Sequence, residues 1–395
     1  MRAQGRLIVH STRRIDAAGT TDDVWLLAAD GAVAASGTGD GWRRVARPGD
    51  EVVDARGLLT VPGFIDLHVH GGGGHGFDEG AGGIAAGLAL HRSHGTTRSL
   101  VSLVSAPIDE LESSLDVVAS LMRSDPLVLG AHLEGPFLAP TRRGAHDASA
   151  LLAPSPALVA RLLEAGRGAL AQVTVAPELE GGLSAVERFS GAGVVVAVGH
   201  TETDAATTRQ AFDRGARLVT HVFNAMPGIG HRSPGPIPVA LGDERVTLEL
   251  VLDGEHVAAD VARLAFAAAP GRVALVTDAM PAAGARDGSY RIGALDVDVR
   301  QGVARLSGTT TLAGSTLTLD AVVRRAVGLG LGLQAAVAAV TTVPARVLGR
   351  DGDLGLLREG YRADIVMLDE SMQVRRVWAE GRAVPTPPGS GRVEA

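Results

Sequence analysis

Val61-Pro-Gly-Phe-Ile-Asp66-Leu-His68-Val-His70 is followed by four glycines, Gly71 to Gly74. A mostly apolar stretch thus runs into two histidines one residue apart. Alternate side chains of an extended chain point to the same face. His68 and His70 therefore reach one point in space at the end of a buried strand. Two imidazoles converging there suit a divalent metal. The glycines predict a backbone that passes close to whatever binds.

Working outward, eight short β-rich runs alternate with Ala/Leu-rich stretches: 61–66, 97–104, 127–133, 170–176, 193–198, 217–222, 246–252 and 272–277. Most are continuously apolar, as parallel strands buried on both faces are. Helix candidates lie between them at 84–94, 107–123, 156–165, 202–214 and 257–268. Stretches at about 315–329 and 333–347 would complete an outer ring. The alternation predicts an α/β fold, a (β/α)8 barrel of the TIM type.

The ends read differently. Residues 1–55 hold short strand candidates at 6–10, 24–28, 32–35 and 51–53, and the tail repeats them at 363–368, 373–379 and 382–384. We expect 1–55 and 350–395 to pair into one small β-sandwich, with the barrel, 56–349, inserted between its halves. Residues 385–395, rich in proline and glycine, read as disordered.

Composition removes several classes of chemistry. The chain has no cysteine, so disulfides, thiolate nucleophiles and Cys-ligated metals are excluded. It has no lysine either, and all 37 basic residues are arginine. A Schiff-base lysine, a Walker lysine and a carboxylated lysine bridging two metals are therefore excluded. Net charge is −7 with no basic block, which argues against a nucleic-acid partner. No apolar run of about 18 residues is present, and the N-terminus lacks a signal-peptide core, so no membrane partner and a cytoplasmic location are expected.

In such a barrel the chemistry sits at the C-terminal ends of the strands. The first run finishes at His68 and His70, the third at His132-Leu-Glu134, the fifth at His200, the sixth at His221 and the eighth at Asp278. Five of the 12 histidines fall at strand ends, more than scatter would put there. His68, His70, Glu134, His200, His221 and Asp278 together make an N/O donor set for Zn²⁺, or for Fe²⁺, Co²⁺ or Mn²⁺. His132 reads as a neighbour that orients ligands, and Asp66 as a brace for the histidine pair. His10, His75, His91 and His94 read as ordinary loop or helix-surface residues.

These residues resemble the amidohydrolase superfamily, and within it the N-acetylglucosamine-6-phosphate deacetylases. The matching stretches are Pro62-Gly-Phe-Ile-Asp-Leu-His-Val-His-Gly71, His132-Leu-Glu-Gly-Pro-Phe137, Gly144-Ala-His146, Ala176-Pro-Glu178, Gly199-His-Thr201, Thr220-His-Val-Phe-Asn-Ala-Met226, Asp253-Gly-Glu-His256, Thr277-Asp-Ala-Met280 and Leu312-Ala-Gly-Ser315. The resemblance implies that Glu134, His200 and His221 hold one metal, that His68 and His70 add a second site, and that Asp278 is the catalytic base and acid. One or two ions per subunit are expected, zinc first. Substrate contacts are implied for Ala145, His146, Asn224, Ala225, His256, Leu312, Ala313 and Gly314. Arg232 is implied to reach the phosphate in the neighbouring subunit of a homodimer, although Pro236-Ile-Pro238 departs from the family's small, glycine-containing sequence. The implied partner is an amino-sugar phosphate, N-acetyl-D-glucosamine 6-phosphate. The alternatives are its galactosamine epimer, an N-acyl amino acid or a cyclic amide on the same fold, and a scaffold without catalysis.

Overall fold

The computed structural model describes residues 5–385, so the expectation of disorder at the C-terminus falls outside the described residues except for Pro385. The chain begins with β1 (Leu7–Asp16), β2 (Gly19–Ala29), β3 (Ala32–Thr38), β4 (Glu51–Asp54) and β5 (Leu59–Pro62). The barrel strands are β6 (Phe64–Asp66), then, after a two-residue hairpin of β7 (Gly71–Gly72) and β8 (His75–Gly76), β9 (Thr96–Val104), β10 (Val128–Glu134), β11 (Leu170–Val175), β12 (Val195–Val198), β13 (Leu218–Val219), β14 (Thr247–Val251) and β15 (Val273–Val276). A three-stranded meander follows, β16 (Gly288–Ile292), β17 (Leu295–Arg300) and β18 (Val303–Leu306), and the chain returns through β19 (Ile365–Leu368), β20 (Val374–Ala379) and β21 (Arg382–Val384).

The eight expected barrel strands form one sheet in the order β15-β14-β13-β12-β11-β10-β9-β6. The pairings from β9 through to β15 are all parallel. Its ends meet through a parallel bridge between Val69 and Ala279 and through backbone bonds from Asp278 N to His68 O and His70 N to Ala279 O, both 2.8 Å. The ring is thus closed just beyond β6 and β15, at the level of the candidate ligands. All four residues of β15, Val-Ala-Leu-Val, are buried, as in a parallel strand covered on both faces.

Helices pack on the sheet, as the helix Ile108–Ser124 does on β10. In the helix Ile108–Ser124, Ile108, Leu111, Leu115 and Val118 are buried, a spacing that keeps them on one face. The helix Pro156–Ala165 starts where expected: Ser155 caps it by accepting from Leu158 N at 3.2 Å, and Pro156 occupies its first turn.

The terminal strands make a second sheet, β21-β20-β19-β5-β1-β2-β3, with β4 also on β1. The C-terminal strands join through β19 on β5, Ile365 opposite Pro62, which lies beyond the expected limit at residue 55. The sheet is continuous because β1 changes partner. It lies parallel to β4 over Leu7–His10 and to β5 at Arg13 and Arg14, with left-handed backbone at Ser11 (φ 59°) between. Leu7, Leu26, Val53, Ile365 and Trp378, from both ends of the sheet order, form one buried cluster.

Several details differ from expectation. The run 61–66 is two strands. Gly63 N bonds to Asp364 O and Phe64 N to Gly95 O, so the partner changes within one residue. The stretch 333–347 is two helices, Leu333–Ala339 and Thr342–Val347. Pro344 cannot donate to the Val340 carbonyl, which instead accepts from Ile65 N at 2.8 Å. The helices Gly182–Gly191 and Pro236–Gly242 and the meander were not anticipated. His91 and His10 are buried, not surface residues; His10 stacks on Trp42 with 4.2 Å between ring centroids. Two compact units emerge. Among the described residues, one takes those up to Ile65, His91–Arg98 and those from Leu319 on; the other takes Asp66–Leu90 and Ser99–Thr318. These limits are not the expected 55/56 and 349/350, since the helix Leu333–Ala339 packs on β1.

Candidate metal centre

Each candidate ligand stands at a strand end. His68 and His70 follow β6, Glu134 ends β10, and His200, His221 and Asp278 each come two residues after β12, β13 and β15. Those last three have left-handed backbone, with φ of 47°, 28° and 48°. For residues with a Cβ this conformation costs on the order of 1–3 kcal/mol and needs tertiary support. At Asp278 the support is visible. Asp66, fully buried, accepts from Thr277 Oγ1 at 2.6 Å and from the backbone N–H of His68 and Thr277 at 3.3 Å. It braces both strand ends, as expected, and burial pushes its pKa up to about 7 against these hydrogen bonds. Gly314 completes the support. Ser315 N donates to Asp278 O at 2.7 Å, and a Cβ on Gly314 would lie 2.7 Å from that same oxygen. The glycines after His70 serve a backbone role instead of a ligand: Gly71 and Gly72 pair with Gly76 and His75.

The structure brings all six candidates together in two groups that share Glu134: His68, His70, Glu134 and Asp278, and Glu134, His200 and His221. Within each group one donor atom per residue lies within 4.8 Å of all the others. Glu134 Oε1 faces His221 Nε2 at 3.0 Å, His200 Nε2 at 3.1 Å and His68 Nε2 at 3.4 Å. Its Oε2 faces His70 Nε2 at 3.1 Å and His146 Nε2 at 3.3 Å. Asp278 Oδ1 is 3.4 Å from His68 Nε2 and 3.5 Å from His70 Nε2.

Partners behind the rings decide where protons sit. His200 Nδ1 is 2.7 Å from the Arg142 carbonyl, which only accepts, so Nδ1 carries the proton and Nε2 turns a lone pair inward. His68 Nδ1 is 3.2 Å from Oε2 of the fully buried Glu249, with the same consequence. His146 is reversed. Its Nδ1 accepts from Ser105 N at 3.2 Å, so Nε2–H donates to Glu134. Burial pushes the His146 pKa down to about 4, keeping it neutral despite Glu134. The Nδ1 atoms of His70 and His221 are buried without a hydrogen-bond partner.

This donor set fits a divalent cation. Inward lone pairs and carboxylate oxygens about 3 Å apart repel unless positive charge lies among them. Burial disfavours a charged His68, yet Glu134 and Asp278 hold its pKa well above the usual imidazole value. Burial likewise disfavours an ionised Glu134, yet the histidines around it hold it well below the usual carboxylate range. Both directions say that the cluster favours cationic charge at its centre, and nitrogen with oxygen donors suits a divalent metal ion.

The cluster forms the floor of a cavity of about 440 Å³, a size that takes a small ligand. Ala145, His146, Asn224, Ala225, His256, Leu312 and Gly314 line it together with His70, Glu134, His200, His221 and Asp278. Ala313 does not; it is buried in an apolar cluster with Met280 and Ile292. Arg232 is exposed and does not line it. His132 stays outside both groups, bonded to Ser102 Oγ at 3.0 Å and Thr174 Oγ1 at 2.9 Å. Sequence reasoning missed Glu249, Arg142 and Ser105. For Glu249 a signal existed: it is a lone carboxylate within the apolar run 246–252.

The model of the amidohydrolase family matches residues 59–384. The N-acetylgalactosamine-6-phosphate deacetylase of Escherichia coli O157:H7 is 36% identical, over 95% of this chain and 98% of that protein. The N-acetylglucosamine-6-phosphate deacetylase of Bos taurus is 34% identical, over 87% of this chain and 86% of that protein. Among solved structures, an N-acetyl-D-glucosamine-6-phosphate deacetylase variant from Mycobacterium smegmatis, in complex with N-acetyl-D-glucosamine-6-phosphate, superposes with a TM-score of 0.90 at 41% identity, covering 97% of this chain and all of that one.

Proposed function

The chain belongs to the amidohydrolase family, and from that premise we propose that it hydrolyses N-acetyl-D-glucosamine 6-phosphate to D-glucosamine 6-phosphate and acetate. The observation that carries the reading is the buried pair of donor groups joined through Glu134, in a chain 41% identical to a solved deacetylase of this sugar phosphate. In this reading Glu134, His200 and His221 hold one divalent ion, zinc first, and His68 and His70 a second. Such an ion supplies Lewis acidity: it polarises the amide carbonyl and lowers the pKa of water from 15.7 to about 7.

The residues then divide the work. Asp278 takes a proton from water as its oxygen bonds to the amide carbon. It returns that proton to the sugar nitrogen as the C–N bond breaks, leaving amine and acetate. General acid–base help of this kind contributes on the order of 10²–10⁴-fold. Neutral His146 keeps Glu134 ionised and oriented. His256 polarises the carbonyl or touches phosphate. Ala145, Leu312 and Gly314 shape the sugar site, with Ala313 packed behind them. Asn224 and Ala225 receive the phosphate, joined by Arg232 from the neighbouring subunit of a homodimer; its exposure outside its own cavity supports that arrangement. Arginine matches phosphate bidentately. The catalytic unit is Asp66–Leu90 with Ser99–Thr318, and the enzyme is cytoplasmic.

The galactosamine epimer is a second reading, favoured by the 36% identity to the Escherichia coli protein named for it. The test is acetate release by the purified, zinc-loaded protein from each 6-phosphate in parallel. Faster turnover of the galactosamine compound would favour the second reading, and no acetate from either would refute both.

A further inference from the structure

A second cavity, of about 480 Å³, lies beside the first. His70, Val104 and Ile292 line both. Val104 ends β9, and Ile292 ends the first meander strand, 7% exposed. The two pack in one apolar cluster with Met280 and Ala313. The turn after Ile292 is pressed onto Val104 so closely that a Cβ on Gly293 would lie 3.0 Å from Val104 Cγ2. Two apolar side chains, held by the meander, thus stand where the cavities meet.

The order of strands says which end of the substrate they face. Around the closed ring β6-β9-β10-β11-β12-β13-β14-β15, β9 and β13 are four places apart of eight and so face each other across the barrel. Asn224 and Ala225 follow β13, and Val104 is paired with Glu134 on the opposite side. A sugar phosphate anchored at Asn224, with its amide over Glu134 and Asp278, directs its acyl end toward β9.

We propose that Val104 and Ile292 form the wall that limits the acyl group to acetyl, and that the second cavity is the room that opens when this wall is cut back. The inference rests on the proposed deacetylation and adds the residues that set acyl length. The same hydrolysis would then apply to propionyl and butyryl amides, with the corresponding carboxylate released. One methylene in an apolar pocket is worth about 10–200-fold in discrimination.

The test compares kcat/KM for N-acetyl-, N-propionyl- and N-butyryl-glucosamine 6-phosphate in the wild type, Ile292→Ala, Val104→Ala and the milder Ile292→Val. The wild type is expected to disfavour propionyl at least tenfold, and one or more variants to raise the propionyl-to-acetyl ratio by about tenfold. A ratio cancels any loss of folded enzyme, and Ile292→Val removes only one methyl if the larger cuts do not fold. A wild type that hydrolyses propionyl as well as acetyl, or ratios unchanged in every soluble variant, would overturn the wall alone. A wild type that releases no acetate would overturn the proposed function and this inference with it.

Discussion

Glu249 offers the sharpest test of the metal centre. Its carboxylate lies on β14, fully buried, with Oε2 3.2 Å from His68 Nδ1 and Oε1 accepting from Gln172 Nε2 at 2.8 Å. An ionised carboxylate only accepts, so it holds the proton on Nδ1 and leaves the His68 Nε2 lone pair facing Glu134, His70 and Asp278. Glu249→Gln keeps the shape but removes the charge and brings an amide N–H₂ into contact with a ring N–H or the Gln172 amide. Carboxylates behind metal-binding histidines typically contribute 10–100-fold in metal affinity, or about 1.4–2.8 kcal/mol at 1.4 kcal/mol per tenfold. The loss should fall on the group containing His68 and His70 and spare the ion held by Glu134, His200 and His221. Mass-spectrometric metal stoichiometry across a chelator series, on protein then assayed for acetate release, reads this directly. The variant should lose one ion at 10–100-fold lower chelator strength while the other persists. Two ions held with wild-type affinity and unchanged kcat/KM would refute the assignment of Glu249 as the anchor of His68.

Three further outcomes are expected. Asp278→Asn should lower kcat on the order of 10²–10⁴-fold with metal content unchanged; loss of metal would make Asp278 chiefly a ligand. His256 titrates above the usual imidazole value because, although burial opposes its charge, Asp253 Oδ2 lies 2.6 Å from Nδ1. The stability this pair contributes is therefore complete below about pH 6.5 and lost as pH rises through the raised pKa. Asp253→Asn should lower the His256 midpoint in an NMR titration, and an unmoved midpoint would contradict the cause given. Arg98, 2% exposed, is bonded to Asp364 at 2.7 Å and Glu380 at 3.1 Å. Asp364→Ala should cost about 3–5 kcal/mol by removing one partner of a buried pair, seen as earlier chemical unfolding; an unchanged midpoint would exclude that role.

Much of the fold was readable because its signals are local. A parallel strand buried on both faces needs an apolar run of a few residues, and each of the eight runs holds a barrel strand, although the first run begins in β5 of the other sheet. The candidate ligands were readable for the same reason, as each lies at or just beyond the end of one of these runs. The meander was missed although Ile292, Val297 and Val299 alternate with more exposed neighbours, because its strands bury one face only. The helix break before Pro344 was missed because its partner, Ile65, is distant in sequence.

The sequence by itself determined which six residues could meet at a metal and which strands would carry them. Only the tertiary structure decided how they meet. It turns Oε1 of Glu134 toward His68, His200 and His221 and Oε2 toward His70 and His146. It sets Glu249 behind His68 and the Arg142 carbonyl behind His200, and so chooses which nitrogen of each ring is free. It also sets Val104 and Ile292 between two cavities. The physical reason is that strand-end positions follow from local hydrophobic pattern, whereas proton placement and cavity walls depend on contacts between residues far apart in the chain.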